Sequence, residues 1–189
     1  MPTTASDNAP KITARLNALP AGPSLEVPCG NVPFLAYAEA YRNNGPWLFV
    51  DLSWTLLRQV ARKCAAHGLT RHLAVRADAR SLPVADSQMQ NIVSMFGLHC
   101  FHDKSAVFAE LHRCLSAQGA MVGSTLTNDG HTLSRFYHRL NQTDGTFAPD
   151  NSVPSIRCSA QAQGFLIRDE LQLGSAYLFG AAPCRLPGE

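Results

Sequence analysis

A chain of 189 residues with 46% apolar and 16% charged residues can pack one core, which excludes a disordered protein and leaves little for a second domain. A net charge of +2, with no run of Lys or Arg, gives no electrostatic footprint for a nucleic-acid partner. No apolar stretch is long enough for a bilayer, and the polar start "MPTTASDNAPKITARLNALP" lacks a signal-peptide core, so the sequence predicts a cytoplasmic protein without a membrane partner.

In chain order, residues 1 to about 10 read as a tail, and "KITARLNALP" as a short helix stopped by Pro20. "SLEVPCG" reads as a buried strand running into a loop. "FLAYAEAYRNNG" has apolar residues at helical spacing and a C-terminal Asn-Gly stop. "WLFVDL" is a near-continuous apolar run, as in a central parallel strand. Ser53 is placed to cap the helix "WTLLRQVARKCAAHG". "HLAVRAD" is a strand, "ARSLPVADSQ" a loop, and "QNIVSMFGLH" a strand. "DKSAVFAELHRCLSAQG" is a helix ending at Gly119, followed by the strand "AMVGSTL". "TLSRFYHRLNQ" and "VPSIRCSAQAQG" read as helices, and "FLIRDELQLG" and "SAYLFGAAP" as closing strands.

Strands alternating with helices predict an α/β fold with a doubly wound, mostly parallel sheet, and the two closing strands an antiparallel hairpin on its edge. The predicted organisation is a short tail and helix over residues 1–24 and one domain over residues 25–189. The six cysteines, Cys29, Cys64, Cys100, Cys114, Cys158 and Cys184, form no C-x-x-C pair and read as reduced, mostly buried thiols; no metal site is predicted.

In such a sheet, ligands bind outside the carboxyl ends of the strands. Gly30, Asp51, Asp78 and the segment from Phe96 to His99 all fall at such ends. Asp51 closes an apolar strand, where a carboxylate can accept from both hydroxyls of a ribose or serve as a helix N-terminal charge. Asp78 can accept from an exocyclic amine or simply hold a turn. Gly30 allows close backbone approach or serves a turn. His99 and His102 stand past the fourth strand, where an imidazole can act as a general base or sit at a helix start capped by Asp103.

"LEVPCGN", "FVDLSWTLLRQVARKC", "VRADARSLPVADS", "NIVSMFGLHCFHD", "FAELHRCLSAQGAMVGSTL" and "AQGFLIRDE", in this order, resemble the class I S-adenosylmethionine-dependent methyltransferases of the small-molecule branch. The resemblance covers roughly residues 12–182. It implies a Rossmann-like seven-stranded sheet, S-adenosylmethionine as cofactor and a small-molecule substrate. It also implies that Glu26 opens the glycine-rich motif, that Cys29 and Gly30 border the methionine part, and that Asp51 binds the ribose with Leu52 beside the adenine. Asp78 and Ala79 then bracket the adenine edge, and Phe96, with Gly97 and Leu98, lies by the transferable methyl group. By position, His99 is the candidate catalytic base, with His102 beside it as a substrate-side candidate; the resemblance implies that His131 and Tyr137 lie in the segment that shapes the acceptor pocket.

Where the family has acidic-x-Gly-x-Gly-x-Gly, this chain has Glu26-x-Pro28-x-Gly30-x-Val32. A β-branched Val32 resists positive φ, and its side chain is predicted to crowd the ligand. The short segment before Leu25 predicts an incompletely covered surface and hence a homodimer or a heteromeric partner. The alternative function is a methyltransferase-like protein without transferase activity, either a partner subunit or a repurposed catalyst such as a cyclase. A nicotinamide cofactor is disfavoured because no G-x-x-G follows Gly30.

Overall fold

The computed structural model describes residues 5–129, 132–143 and 145–184. Its seven strands are β1 Ser24–Glu26, β2 Trp47–Asp51, β3 His72–Arg76, β4 Met89–Met95, β5 Leu115–Leu126, β6 Phe165–Leu173 and β7 Ala176–Pro183. They form one sheet in the order β3-β2-β1-β4-β5-β7-β6. β1 pairs in parallel with β2 on one side and with β4 on the other, so strand order reverses at β1. β7 runs antiparallel between β5 and β6, which is the predicted edge hairpin.

The helices are α1 Ala5–Asn17, α2 Ala40–Asn43, α3 Trp54–Ala66, α4 Lys104–Cys114, α5 Thr132–Thr143 and α6 Val153–Ala162. One core cluster joins Ile12, Leu16 and Leu19 of the N-terminal segment to Trp47, Phe49, Leu57 and Val60; a second joins Leu25, Val50 and Ile92 to Phe108, Leu111, Ile156 and Phe165. Leu25 and Glu26 are neighbours on β1, and strand alternation sends them to opposite faces of the sheet. Among the described residues no helix is long and apolar enough to cross a membrane.

Three predicted elements differ. α1 begins at Ala5, inside the predicted tail, because Ile12 and Leu16 anchor it on the sheet. The predicted helix after Val32 shrinks to the four residues of α2. Its apolar spacing was correct as burial, since Phe34, Leu35, Ala38 and Tyr41 are all buried. Pro33 supplies no N–H, and the chain instead makes short turns from Leu35 N to Val32 O and from Tyr37 N to Phe34 O. The fourth long helix ends at Cys114 rather than Gly119, because Leu115 turns extended and joins β5 opposite Met89. The regular β4–β5 ladder then starts at Ala120, where the sequence placed the strand.

Candidate cofactor site

At the point where strand order reverses, a cleft of about 330 Å³ opens over the ends of β1, β2 and β4. Its wall is built from Val27, Pro28 and Gly30 after β1, Asp51, Leu52 and Leu56 after β2, Ala77 and Ala79 after β3, and Met95 to Gly97 with Cys100 and Phe101 after β4. The volume lies at the lower end for small-molecule sites, and an apolar wall with few polar groups suits an adenine beside a ribose.

Asp51 is the polar centre of this wall. Its Oδ2 accepts from the Gly30 N–H at 2.9 Å, and its Oδ1 accepts from the Ser53 N–H at 2.9 Å. The carboxylate thereby ties the loop after β1 to the start of α3, and each oxygen keeps acceptor capacity for a ligand. Ser53 caps α3 as predicted, its hydroxyl accepting from the Leu56 N–H. Gly30 takes φ +52°, and a Cβ built there would meet nothing within 4 Å, so its backbone faces open space. Phe96, at the end of β4, also takes a left-handed φ of 51°, held by its N–H donating to Ser124 O and Oγ.

Val32 corrects an expectation. It does adopt positive φ, at 48°, but its side chain is 1% exposed and belongs to the core cluster, outside the wall of the cleft. Burying a valine stabilises by about 1.5–3 kcal/mol, against a left-handed penalty of about 1–2 kcal/mol for a non-glycine residue. A glycine there also loses about 0.5–1 kcal/mol of chain entropy. Val32→Gly is therefore expected to lower stability by about 1–2 kcal/mol in urea denaturation. It is not expected to tighten cofactor binding in a calorimetric titration.

Pro28 stands where the family pattern has its first glycine, and its ring lies against Gly97. A Cβ on Gly97 would fall 2.2 Å from Pro28 Cγ and 2.4 Å from Cδ. The loops after β1 and β4 thus touch through a proline and a glycine, both on the cleft wall.

Of the sequence candidates, Gly30, Asp51, Leu52, Ala79 and Phe96 converge on the cleft. Among the described side chains, Glu26, Cys29, Asp78, His99 and His102 are not part of its wall. Asp78 forks onto the Arg80 guanidinium at 2.7 Å and accepts from the Arg80 N–H, and these bonds hold its carboxyl below the usual range. Cys29 is buried with its thiol pushed up by burial. Glu26 is fully buried; Tyr41 donates to its Oε2 at 2.8 Å and its Oε1 has no partner. Burial pushes the Glu26 carboxyl up to about 8. The open backbone at Gly30 and the free capacity of Asp51 fit the methionine part and the ribose of S-adenosylmethionine, and Glu26, buried off the wall, closes the strand that leads into it.

His99 is the main departure among the predicted residues. It is 5% exposed, its Nδ1 lies 3.2 Å from Thr125 Oγ1 and accepts from the Leu126 N–H, and its ring packs edge-on against Phe147. Burial lowers it to about 4, helped by His138 and Lys104 nearby. Its carbonyl accepts from Ala148 N–H and from Asn151 Nδ2, so it anchors the segment around Ala148 instead of facing the cleft. His102 is exposed and off the wall, and Asp103 caps α4 by accepting from Ala106 N–H. His131 lies outside the described residues; Tyr137 lies on α5, but its side chain is also outside them. Sequence reasoning missed Pro28, Leu56, Cys100 and Phe101 on the wall. Leu56 was recoverable, since it lies in the first turn of the helix that Ser53 caps, close to the strand end at Asp51.

A family model described as "Methyltransferase domain" matches residues 25–119, just over half of the chain. A malonyl-[acyl-carrier protein] O-methyltransferase of Alcanivorax borkumensis is 27% identical over 152 residues, 78% of this chain and 50% of that protein. The chain spans about half the length, or less, of the curated relatives it matches. Among solved structures, a geranyl diphosphate methyltransferase in complex with SAM superposes with TM-score 0.75 at 15% identity, over 96% of this chain and 85% of that one. A putative methyltransferase from Bacillus halodurans superposes with TM-score 0.79 at 13% identity, over 94% and 99%. With the seven-stranded order and the cleft at β1, the family match establishes that the chain belongs to the methyltransferase domain family.

Proposed function

We propose that this chain transfers the methyl group of S-adenosylmethionine to a small molecule bearing a carboxylate. The observation that carries this reading is the make-up of the cleft wall, where, among the described residues, Asp51 and Cys100 are the only ionisable side chains. The Asp51 oxygens are engaged with backbone N–H groups, and burial raises the Cys100 thiol. Among the described residues no histidine, lysine or tyrosine stands on that wall. A phenol or ammonium acceptor must lose a proton and profits from a placed base, whereas a carboxylate is already an anion at neutral pH. For such an acceptor the protein's contribution is alignment and exclusion of water.

Within this reading, Asp51 holds the ribose hydroxyls, Gly30 gives backbone access, and Leu52, Leu56 and Ala79 flank the adenine. Phe96 and Gly97 border the methyl-bearing end, next to Cys100 and Phe101. The bound cofactor supplies an electrophilic methyl group on a sulfonium. The A. borkumensis relative, by its name, acts on a malonyl group carried by a protein, which agrees with a carboxylate acceptor. The test is transfer of labelled methyl from S-adenosylmethionine to panels of carboxylates, phenols and amines. The expected product is a base-labile methyl ester; transfer confined to phenols or amines would overturn the reading.

A further inference from the structure

We propose that the Tyr41–Glu26 pair couples capture of the cofactor to the release of one proton. This rests on the assignment of the cleft to S-adenosylmethionine. Glu26 closes β1, the strand that leads directly into the wall residues Val27 and Pro28. Its side chain has no contact with water, being 0% exposed. Among the described residues Tyr41 is its single hydrogen-bond donor, and Oε1 has no partner.

The groups around Glu26 offer no compensating positive charge. Tyr41, Cys29 and Cys64 are the titratable groups that interact with it, and burial keeps all three in their neutral forms at pH 7. Asp51, whose carboxylate also acts on Cys29, offers no positive charge either. Among the described residues no Lys, Arg or His hydrogen-bonds or ion-pairs with Glu26. A carboxylate so placed would be a buried charge with one hydrogen bond, which costs more than the neutral acid.

Tyr41 is the positioning residue of the pair. Its ring is buried in contact with Trp47, with centroids 4.5 Å apart, and this fixes the hydroxyl over Oε2. The hydroxyl favours the ionised form and keeps it within reach. S-adenosylmethionine brings a sulfonium and an ammonium against one carboxylate of its own, a net positive charge. Its arrival favours the ionised form of Glu26. The Glu26 O–H bond breaks, the electron pair stays on the carboxylate, and the proton leaves to buffer.

The sign also fixes how the empty protein responds to pH. A carboxyl raised on folding gives stability that is complete below its ordinary value of 4.5 and is lost as pH rises through about 8. The melting temperature of the empty wild-type chain is expected to fall over that window, and Glu26→Gln, which mimics the neutral acid, is expected to flatten the decline.

The deciding experiment is calorimetric titration of the full chain with S-adenosylmethionine near pH 7, in buffers of different ionisation enthalpy. The wild-type heat should vary with buffer with a slope corresponding to about one proton released, and affinity should rise by up to about tenfold per pH unit below pH 8. Glu26→Gln should bind with a buffer-independent heat. Tyr41→Phe should bind more weakly at neutral pH and recover at higher pH, which a merely structural tyrosine would not do. S-adenosylhomocysteine, which keeps the ammonium and lacks the sulfonium, should release a smaller fraction of a proton. A zero slope in the wild type, or an equal slope in Glu26→Gln, would overturn the coupling. Should Glu26→Gln not fold, the wild-type slope alone decides. A wild-type chain that binds neither ligand would overturn the cofactor assignment and the coupling with it.

Discussion

Asp51→Ala is expected to weaken binding of S-adenosylhomocysteine by about 1.5–3 kcal/mol, or roughly 10- to 150-fold, the range for hydrogen bonds to a charged group. Two losses act in the same direction. The ribose hydroxyls lose their acceptor, and the Gly30 and Ser53 N–H groups lose theirs as well. The second loss loosens the loop after β1 against the start of α3, so the pocket must be re-ordered when ligand arrives. Asp51→Asn tests which matters more. An amide keeps one oxygen, but its NH2 cannot accept from the other backbone N–H, so the loop anchor is half lost at nearly constant size. An affinity between wild type and Asp51→Ala is expected for it. Circular dichroism should show the fold intact in both variants, since Asp51 closes a strand whose apolar residues Phe49 and Val50 still fill the core. Unchanged affinity in Asp51→Ala would remove the ribose assignment.

The fold was legible because its strands are buried. β2 and β4 read as apolar runs, and their flanking helices carry apolar residues at helical spacing with Ser53 and Asp103 as caps. The positions at strand ends were legible for the same reason: once the strands are fixed, Gly30, Asp51 and Phe96 must meet at the edge where order reverses. What escaped depends on contacts that no local pattern encodes. Asp78 sits at a strand end, yet Arg80 two residues on captures its carboxylate. His99 sits past β4, yet a segment some fifty residues later folds over it through Ala148 and Asn151. Val32 obeyed its propensity in the sequence and defied it in the structure, because core burial outweighs the left-handed penalty. The helix expected after Val32 failed for a related reason: apolar spacing reports burial, and a short run around a proline can be buried without being helical.

Gly97→Ala is expected to be the most disruptive single methyl in the molecule's ligand cleft. Its Cβ would lie 2.2 Å from Pro28 Cγ and 2.4 Å from Cδ, far inside van der Waals contact. A flexible side chain would swing away, but a proline ring moves only with its backbone, so the loop after β1 or the loop after β4 must shift. Overpacking of this kind costs about 1–3 kcal/mol and sometimes more. The shift also moves Gly30 or Phe96, both on the cleft wall, so cofactor affinity should fall together with stability. The cause is separable by a second substitution. Pro28→Gly removes the ring, and in that background Gly97→Ala should cost much less, giving a coupling energy of about 0.5–3 kcal/mol in a double-mutant cycle. Urea denaturation of the four proteins measures the stability cycle, and titration with S-adenosylhomocysteine measures the binding cycle. If Gly97→Ala is as stable as wild type, the Pro28 contact does not constrain the loops. If it is unstable but the double variant is no better, the requirement for glycine at position 97 comes from a neighbour other than the ring of Pro28, since Gly97 has an ordinary φ of −118°.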